Sequence, residues 1–376
     1  MTHVVTADGL DELITALRDD GRTIIGPQAR DGVITHDVID SATELPRGWT
    51  EEQNGGRYQL QATGTDERFA YSSPSTSWKR FLYPERTLML RATRDNGKVQ
   101  VDIPEPDAPS VAFFGIRSCD LAALGILDRV FLDPDATDPT YAARRPDVFI
   151  VAVGCNNPGN TCFCVSMDTG PSPTSGFDLA ISELVDDDGV RYLVESGSDR
   201  GAELLAGISS KSATDADHAR AATAQEHAVA SMGRELRSDL VPLAALDADH
   251  PRWDDVAERC LACGNCTMVC PTCFCSTTEE STSLTGAESE RWRVWDSCYS
   301  LEFSHMHGGS ARTSIKSRYR QWLLHKLVTW QDQFDSSGCV GCGRCITWCP
   351  VGIDLTAEIA ALAVPATERS NEGVEA

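Results

Sequence analysis

The sequence Cys260-Leu-Ala-Cys-Gly-Asn-Cys-Thr-Met-Val-Cys-Pro271 has the same spacing as Cys339-Val-Gly-Cys-Gly-Arg-Cys-Ile-Thr-Trp-Cys-Pro350. Three cysteines at i, i+3 and i+6 in a wrapping loop supply three thiolates to a cubane iron–sulfur cluster, and the fourth, before proline, ligates the other cluster of a pair. The spacing therefore predicts two [4Fe–4S] clusters with crossed ligands. The first ligand set is Cys260, Cys263, Cys266 and Cys349, and the second is Cys339, Cys342, Cys345 and Cys270.

Structural zinc is the alternative interpretation of these cysteines. Zinc sites typically pair two Cys-x2-Cys units across a spacer and end with four ligands. Two runs of four cysteines that each end in Cys-Pro fit that pattern poorly. Gly264, Gly341 and Gly343 favour a cluster, because the backbone must approach the inorganic sulfides closely and donate N–H bonds to them.

Six further cysteines lie near the phrase Thr-Cys-Phe-Cys, which occurs at 161–164 and again at 272–275. They are Cys155, Cys162, Cys164, Cys273, Cys275 and Cys298. One interpretation is a third iron–sulfur cluster that bridges the two halves of the chain. The other is that they are small buried apolar side chains, as free cysteines often are. The sequence does not assign four ligands among them. The remaining cysteine, Cys119, is expected to lie in a tight turn.

Composition excludes several classes of function. The 376 residues carry a formal net charge of −23, which argues against a general affinity for nucleic acid or for an anionic membrane. No apolar run approaches the ~18 residues of a membrane span. The N-terminus lacks a basic region followed by an apolar run, so we expect no secretory signal. Because thiols stay reduced in the cytosol, we expect a cytoplasmic protein whose fifteen cysteines serve metal or redox chemistry.

The pattern of apolar runs predicts a mixed α/β N-terminal domain followed by an α-helical dicluster ferredoxin domain. Buried strands are expected at 110–117 and 148–155 with a helix between them, and a further helix is expected over 311–330. The predicted ranges are 1–200 for the α/β domain, 201–250 for a helical bridge, 251–365 for the two-cluster domain and 366–376 for a disordered tail. Neither a dinucleotide-binding motif nor a P-loop occurs.

The predicted helix over 311–330 begins with a strongly basic stretch. Its five basic residues are Arg312, Lys316, Arg318, Arg320 and Lys326, and no acid lies among them. One hypothesis is that this face lies near a cluster or docks an acidic partner. The alternative is an ordinary solvated helix face.

Several motifs together resemble the beta subunits of cytoplasmic nickel–iron (sulf)hydrogenases and the corresponding iron–sulfur subunits of anaerobic sulfite reductases. They are Gly115-Ile-Arg-Ser-Cys-Asp-Leu121, Gly154-Cys155 with Thr161-Cys-Phe-Cys164, Gly176-Phe-Asp-Leu179, Cys270-Pro-Thr-Cys-Phe-Cys275, Arg318-Tyr-Arg320, His325-Lys326 and Cys339-Val-Gly-Cys-Gly-Arg-Cys345. The resemblance implies an electron-transfer subunit between a flavin subunit that handles NAD(P)H and a catalytic partner. That partner carries nickel–iron in the hydrogenase branch and sirohaem in the sulfite reductase branch. The N-terminal domain favours the hydrogenase branch.

A self-contained iron–sulfur oxidoreductase is a further alternative. Such an enzyme needs a substrate site with its own acid, base or open metal position. The sequence identifies no catalytic residue of that kind, so it predicts a redox subunit rather than a complete enzyme.

Overall fold

The computed structural model describes residues 2–187 and 189–364 of the chain. The tail predicted to be disordered, 366–376, lies outside these residues. In the part of the chain that is described, no helix combines the length and the apolar character that a membrane crossing requires.

Sixteen strands are present in the described residues. In chain order they are β1 (Thr2–Val5), β2 (Thr23–Arg30), β3 (Val33–Val38), β4 (Trp49–Asn54), β5 (Arg57–Ala62), β6 (Arg86–Asp95), β7 (Lys98–Asp102), β8 (Val111–Arg117), β9 (Phe149–Val153), β10 (Leu179–Asp186), β11 (Gly189–Ser196), β12 (Lys211–Ser212), β13 (Ser276–Thr282), β14 (Glu288–Trp295), β15 (His305–Met306) and β16 (Gly309–Ser310).

The α-helices range from one turn to sixteen residues in the same described ranges. They are α1 (Ala7–Asp19), α2 (Lys79–Leu82), α3 (Ser118–Phe131), α4 (Pro139–Arg144), α5 (Asp199–Ala206), α6 (Asp215–Ala230), α7 (Val241–Ala244), α8 (Arg252–Arg259), α9 (Asn265–Met268), α10 (Ile315–Leu324), α11 (Trp330–Phe334), α12 (Arg344–Thr347) and α13 (Leu355–Leu362). A π-helical turn, His325–Thr329, joins α10 to α11.

An eight-stranded mixed sheet forms the core of the N-terminal half, in the order β12-β1-β11-β10-β9-β8-β2-β3. Its central strands β2, β8, β9 and β10 are parallel neighbours. Every residue of β8 and β9 is buried, as expected for parallel strands that are covered on both faces. These strands and helix α3 between them confirm the mixed α/β prediction.

Helices cover both faces of this sheet. Because successive strand residues point in opposite directions, neighbouring residues of one strand pack against different helices. Phe114 packs with Leu13 and Leu17 of α1 on one face. Phe113 packs with Leu124 and Leu127 of α3 on the other face. The sheet therefore holds the carboxyl ends of β8 and β9, together with the loops that follow them, in fixed positions.

A second sheet joins distant parts of the chain, in the order β13-β14-β6-β7. Strand β14 pairs antiparallel with β6 from the N-terminal half, and Trp292 lies opposite Leu88. The alternating segment Arg291-Trp-Arg-Val-Trp295 suits such a strand. The C-terminal region, predicted to be helical, thus contains a β-hairpin as well as helices.

The helix predicted over 311–330 begins four residues later, at Ile315. The Ser314 side chain accepts a hydrogen bond from the Ser317 N–H at 3.1 Å and caps the helix there. The segment predicted as a helical bridge, 201–250, contains the end of α5, the short strand β12, the long helix α6 and the short helix α7.

Candidate metal centre

The two cysteine loops adopt the same backbone conformation. Two residues after the first cysteine of each loop, Ala262 and Gly341 have φ angles of 51° and 64°. Gly264 and Gly343 follow, with φ angles of 77° and 75°, and lead into the one-turn helices α9 and α12. Left-handed backbone is costly for alanine, so its presence at 262 shows how strongly the loop shape is imposed. The two motifs therefore share a backbone conformation as well as a cysteine spacing.

Backbone N–H groups point at the first cysteine sulfur of each loop. The Ala262 N–H donates to Cys260 Sγ at 3.4 Å, and the Gly341 N–H donates to Cys339 Sγ at 3.4 Å. Hydrogen bonds of this kind stabilise the thiolate form that ligates metal and tune an iron–sulfur cluster. Both loops thus present sulfur in the way that cluster binding requires.

The first predicted ligand set lines one pocket. Its cysteines are Cys260, Cys263, Cys266 and Cys349, and Cys345 of the second set completes the sulfur lining. The Cys263 side chain is exposed, and the neighbouring Leu261 is 63% exposed. A cluster held here would lie at the protein surface on one side and against the second set on the other.

The second predicted ligand set lies deeper in the molecule. Cys270 and Cys342 are only 8% and 7% exposed. Burial raises the pKa of the Cys345 thiol, and the neighbouring Cys339, Cys342 and Cys270 raise it further. Cys266 of the first set also contributes. Cys345 thus lies close to the other three cysteines of the second set and to Cys266 of the first, so the two sets are neighbours, and the crossed ligation stays a prediction.

Three of the six further cysteines lie just beyond the end of β9. The Cys162 thiol donates to the Cys342 carbonyl at 3.7 Å. Burial raises the pKa of Cys162, and the nearby Cys155 and Cys164 raise it further. Cys119, predicted to mark a turn, is buried in the first turn of α3 and packs in the same cluster as Cys164 and Cys342.

The other three, Cys273, Cys275 and Cys298, line a separate pocket together with Lys326. A hydrogen bond from Cys273 lowers the pKa of Cys270 well below its usual value, and the positive charge of Lys326 lowers it further. A hydrogen bond from Cys298 lowers the pKa of Cys275 to about 7. The structure thus divides the six cysteines into two groups of three, and a third cluster stays a prediction.

The segment Thr161-Cys-Phe-Cys164 lies directly on the second cysteine loop. The Phe163 N–H donates to the Gly341 carbonyl at 2.8 Å, and the Thr161 and Thr347 hydroxyls are 2.6 Å apart. A Cβ atom at Gly343 would lie 2.5 Å from the Thr161 carbonyl oxygen. Close backbone approach, as well as left-handed backbone, therefore requires glycine at 343.

We expect Gly343→Ala to lower the thermal midpoint and the iron content far more than Gly264→Ala. The two glycines have nearly the same positive φ, so each alanine carries a similar backbone cost of roughly 1–2 kcal/mol. A Cβ at Gly264 has no contact closer than 3.2 Å, to the Ser297 hydroxyl, whereas a Cβ at Gly343 overlaps backbone. Thermal denaturation and iron analysis under anaerobic conditions measure the difference. Equal effects would show that the contact with 161–164 is unimportant.

A buried ion pair connects the α/β half to the second loop, and sequence reasoning did not find it. Arg344 donates from Nη1 and Nη2 to the two carboxylate oxygens of Asp120 at 2.9 and 2.7 Å, and from Nε to the Pro74 carbonyl at 2.6 Å. The side chains of Arg344 and Asp120 are 0% and 1% exposed. The sequence contained one indication of this pair. Arg344 lies between two predicted ligands, Cys342 and Cys345, and a cation buried there needs a counterion.

Among the basic residues of this stretch, Lys326 hydrogen-bonds to a predicted ligand, and the charge of Arg318 opposes the rise in the pKa of Cys260 that burial causes. The Lys326 Nζ lies 3.3 Å from Cys270 Sγ. Lys316 forms an ion pair with a carboxylate of α8 at 2.8 Å, and Arg318 and Arg320 donate to backbone carbonyls. The stretch is therefore not one continuous basic face.

Comparison with known proteins agrees with this geometry. Residues 259–353 match the family model of the 4Fe-4S dicluster domain, which spans both cysteine loops. The chain is also 32% identical over 286 residues to the sulfhydrogenase 2 subunit beta of Pyrococcus furiosus, an alignment that covers 74% of this chain and 83% of that protein. This chain belongs to the sulfhydrogenase beta-subunit family. The alignment extends well beyond the dicluster domain, so the sequence similarity to this beta subunit includes residues of the α/β half.

Proposed function

We propose that this chain is the electron-transfer subunit of a hydrogenase and relays electrons between a flavin subunit that binds NAD(P)H and a nickel–iron subunit. One observation carries the proposal: the two predicted cysteine sets lie side by side, one reaching the surface at Cys263 and the other buried near the α/β half. The kinship with a sulfhydrogenase beta subunit supports the hydrogenase branch over the sulfite reductase alternative.

The residues present determine how such a relay would be held. When bound, each [4Fe–4S] cluster supplies one-electron redox chemistry. The two loops fix the thiolates, and Cys345 lies on the wall between the two sets. The exposed Cys263 and Leu261 offer an edge where a partner protein can approach. The buried set is shielded from solvent, which disfavours loss of electrons to small oxidants.

We expect the chain to co-purify anaerobically from its native host with a flavin protein and a nickel-containing protein. Metal analysis of the complex measures nickel, and absorption spectroscopy detects sirohaem. Nickel without sirohaem supports the proposal. Sirohaem without nickel would contradict it and indicate that the chain is the electron-transfer subunit of a sulfite reductase.

The isolated chain provides the matching control. We expect it to be reduced by dithionite but to show no NAD(P)H oxidation and no hydrogen uptake with an artificial dye. Turnover of either substrate by the chain alone would favour a self-contained oxidoreductase instead. Iron analysis of the same preparation decides the number of clusters, because two four-iron clusters give about eight irons per chain and three give about twelve.

A further inference from the structure

Two buried lysines approach Cys270 from opposite halves of the chain. Lys326, only 6% exposed, places its Nζ 3.3 Å from Cys270 Sγ, 3.0 Å from the Thr272 hydroxyl and 3.2 Å from the Gly338 carbonyl. Its ammonium thus directly contacts a sulfur of the second predicted ligand set.

Lys79, from α2 in the N-terminal half, completes the arrangement and is 3% exposed. Its Nζ donates to the Cys273 carbonyl at 2.7 Å and the Cys270 carbonyl at 3.3 Å. The ammonium also lies 3.9 Å from the centre of the Trp295 ring. The side chain of a second lysine is therefore held at the backbone of the same cysteine.

Neither ammonium forms an ion pair with a carboxylate in residues 2–187 and 189–364, unlike Lys316, which pairs with Asp254 at 2.8 Å. Burying a charge without a counterion is costly. The anionic groups available to the two lysines are cysteine sulfurs, Cys270 first for Lys326 and Cys273, followed by Cys270, for Lys79. A cluster with four thiolate ligands is a buried anion, so the two lysines have the charge and the position of its counterions.

The helix that carries Lys326 departs from α-helical geometry at this point. The π-helical turn His325–Thr329 follows α10, and π-helical turns are frequent at functional sites. The Lys326 carbonyl also accepts from the Gly338 N–H at 2.8 Å, which ties this turn to the start of the second loop. The backbone at Lys326 is thus held by the helix that precedes it and by the start of the second loop.

We infer that Lys326 and Lys79 provide the fixed positive charge that raises the reduction potential of the cluster ligated through Cys270. The inference rests on the proposed function, since it needs a cluster at this site. Reduction adds one negative charge, and nearby positive charge in a buried region of low dielectric stabilises the reduced state. Removing either charge makes reduction less favourable.

The test is an anaerobic redox titration, followed by electron paramagnetic resonance, of the purified full-length chain and its variants. Lys326→Met removes the charge and keeps most of the volume, whereas Lys326→Arg keeps the charge. Lys79→Met removes the second charge without removing a contact to sulfur. Lys316→Met, on the same helix but paired at the surface, is the matched control.

We expect Lys326→Met and Lys79→Met each to disfavour reduction of one cluster by tenfold or more, which is a shift of about 59 mV or more to lower potential for a one-electron couple. The other cluster, Lys326→Arg and Lys316→Met should stay near the wild-type values. Loss of iron from Lys326→Met with full iron in Lys326→Arg would also support the inference, because the charge then decides whether the cluster is held.

Wild-type potentials in the methionine variants that keep their iron would overturn the inference. Equal loss of iron from Lys326→Met and Lys326→Arg would also overturn it, since it would indicate a purely structural role. Either result leaves the proposed function intact. A wild-type chain that binds no iron under anaerobic reconstitution would instead refute the proposed function.

Discussion

Cys349→Ser is expected to remove the same cluster as Cys260→Ser, although Cys349 lies in the other motif. Cys260 and Cys349 line the same cavity, and each raises the pKa of Cys266 beyond the effect of burial. Replacing one thiolate of four exposes an iron corner of the cluster. Iron per chain should therefore fall from about eight to about four in both variants.

Electron paramagnetic resonance of the reduced variants distinguishes crossed from uncrossed ligands. With crossed ligands, the residual spectrum of Cys349→Ser matches that of Cys260→Ser, and Cys270→Ser matches Cys339→Ser. If each motif held its own cluster, Cys349→Ser would instead match Cys339→Ser. Cys119→Ser, which alters a buried thiol outside both ligand sets, is the control and should keep the full iron content.

The 4Fe-4S dicluster domain could be predicted from the sequence because its cysteines recur with a fixed local spacing, whereas the assignment of the eight ligands stays a prediction. A loop with cysteines at i, i+3 and i+6 has few ways to present its sulfurs, and both loops adopt the same one. The buried strands β8 and β9 were equally accessible, since continuous apolar runs with a helix between them indicate parallel strands. In both cases the signal in the sequence, a cysteine spacing or an apolar run, lies within a short segment of the chain.

The remaining features depend on contacts between distant residues, which one sequence does not reveal. Asp120 and Arg344 are 224 positions apart, and β6 pairs with β14 across a similar separation. The inward direction of Lys326 depends on a π-helical turn that the periodicity of an ideal helix does not predict. These contacts place the second loop against the α/β half.

Asp120→Asn is expected to destabilise the protein by roughly 3–5 kcal/mol, because it leaves the Arg344 guanidinium buried without a charged partner. The matched control is Asp128→Asn on the same helix. Asp128 also forms a two-point ion pair, with Arg145 at 2.9 and 3.0 Å, but the side chains of both residues are partly exposed. Its loss should cost about 1 kcal/mol or less. Urea denaturation under anaerobic conditions measures both.

A double variant separates the charge from the packing at this contact. Asp120→Leu combined with Arg344→Met removes both charges together, and apolar replacements of a buried ion pair are often close to neutral in stability. The double variant should therefore unfold at a higher urea concentration than Asp120→Asn. If it does not, the hydrogen bond from Arg344 to the Pro74 carbonyl, rather than the ion pair, holds the second loop on the α/β half. Since Arg344 lies between Cys342 and Cys345, the iron content of the two variants should follow the same order.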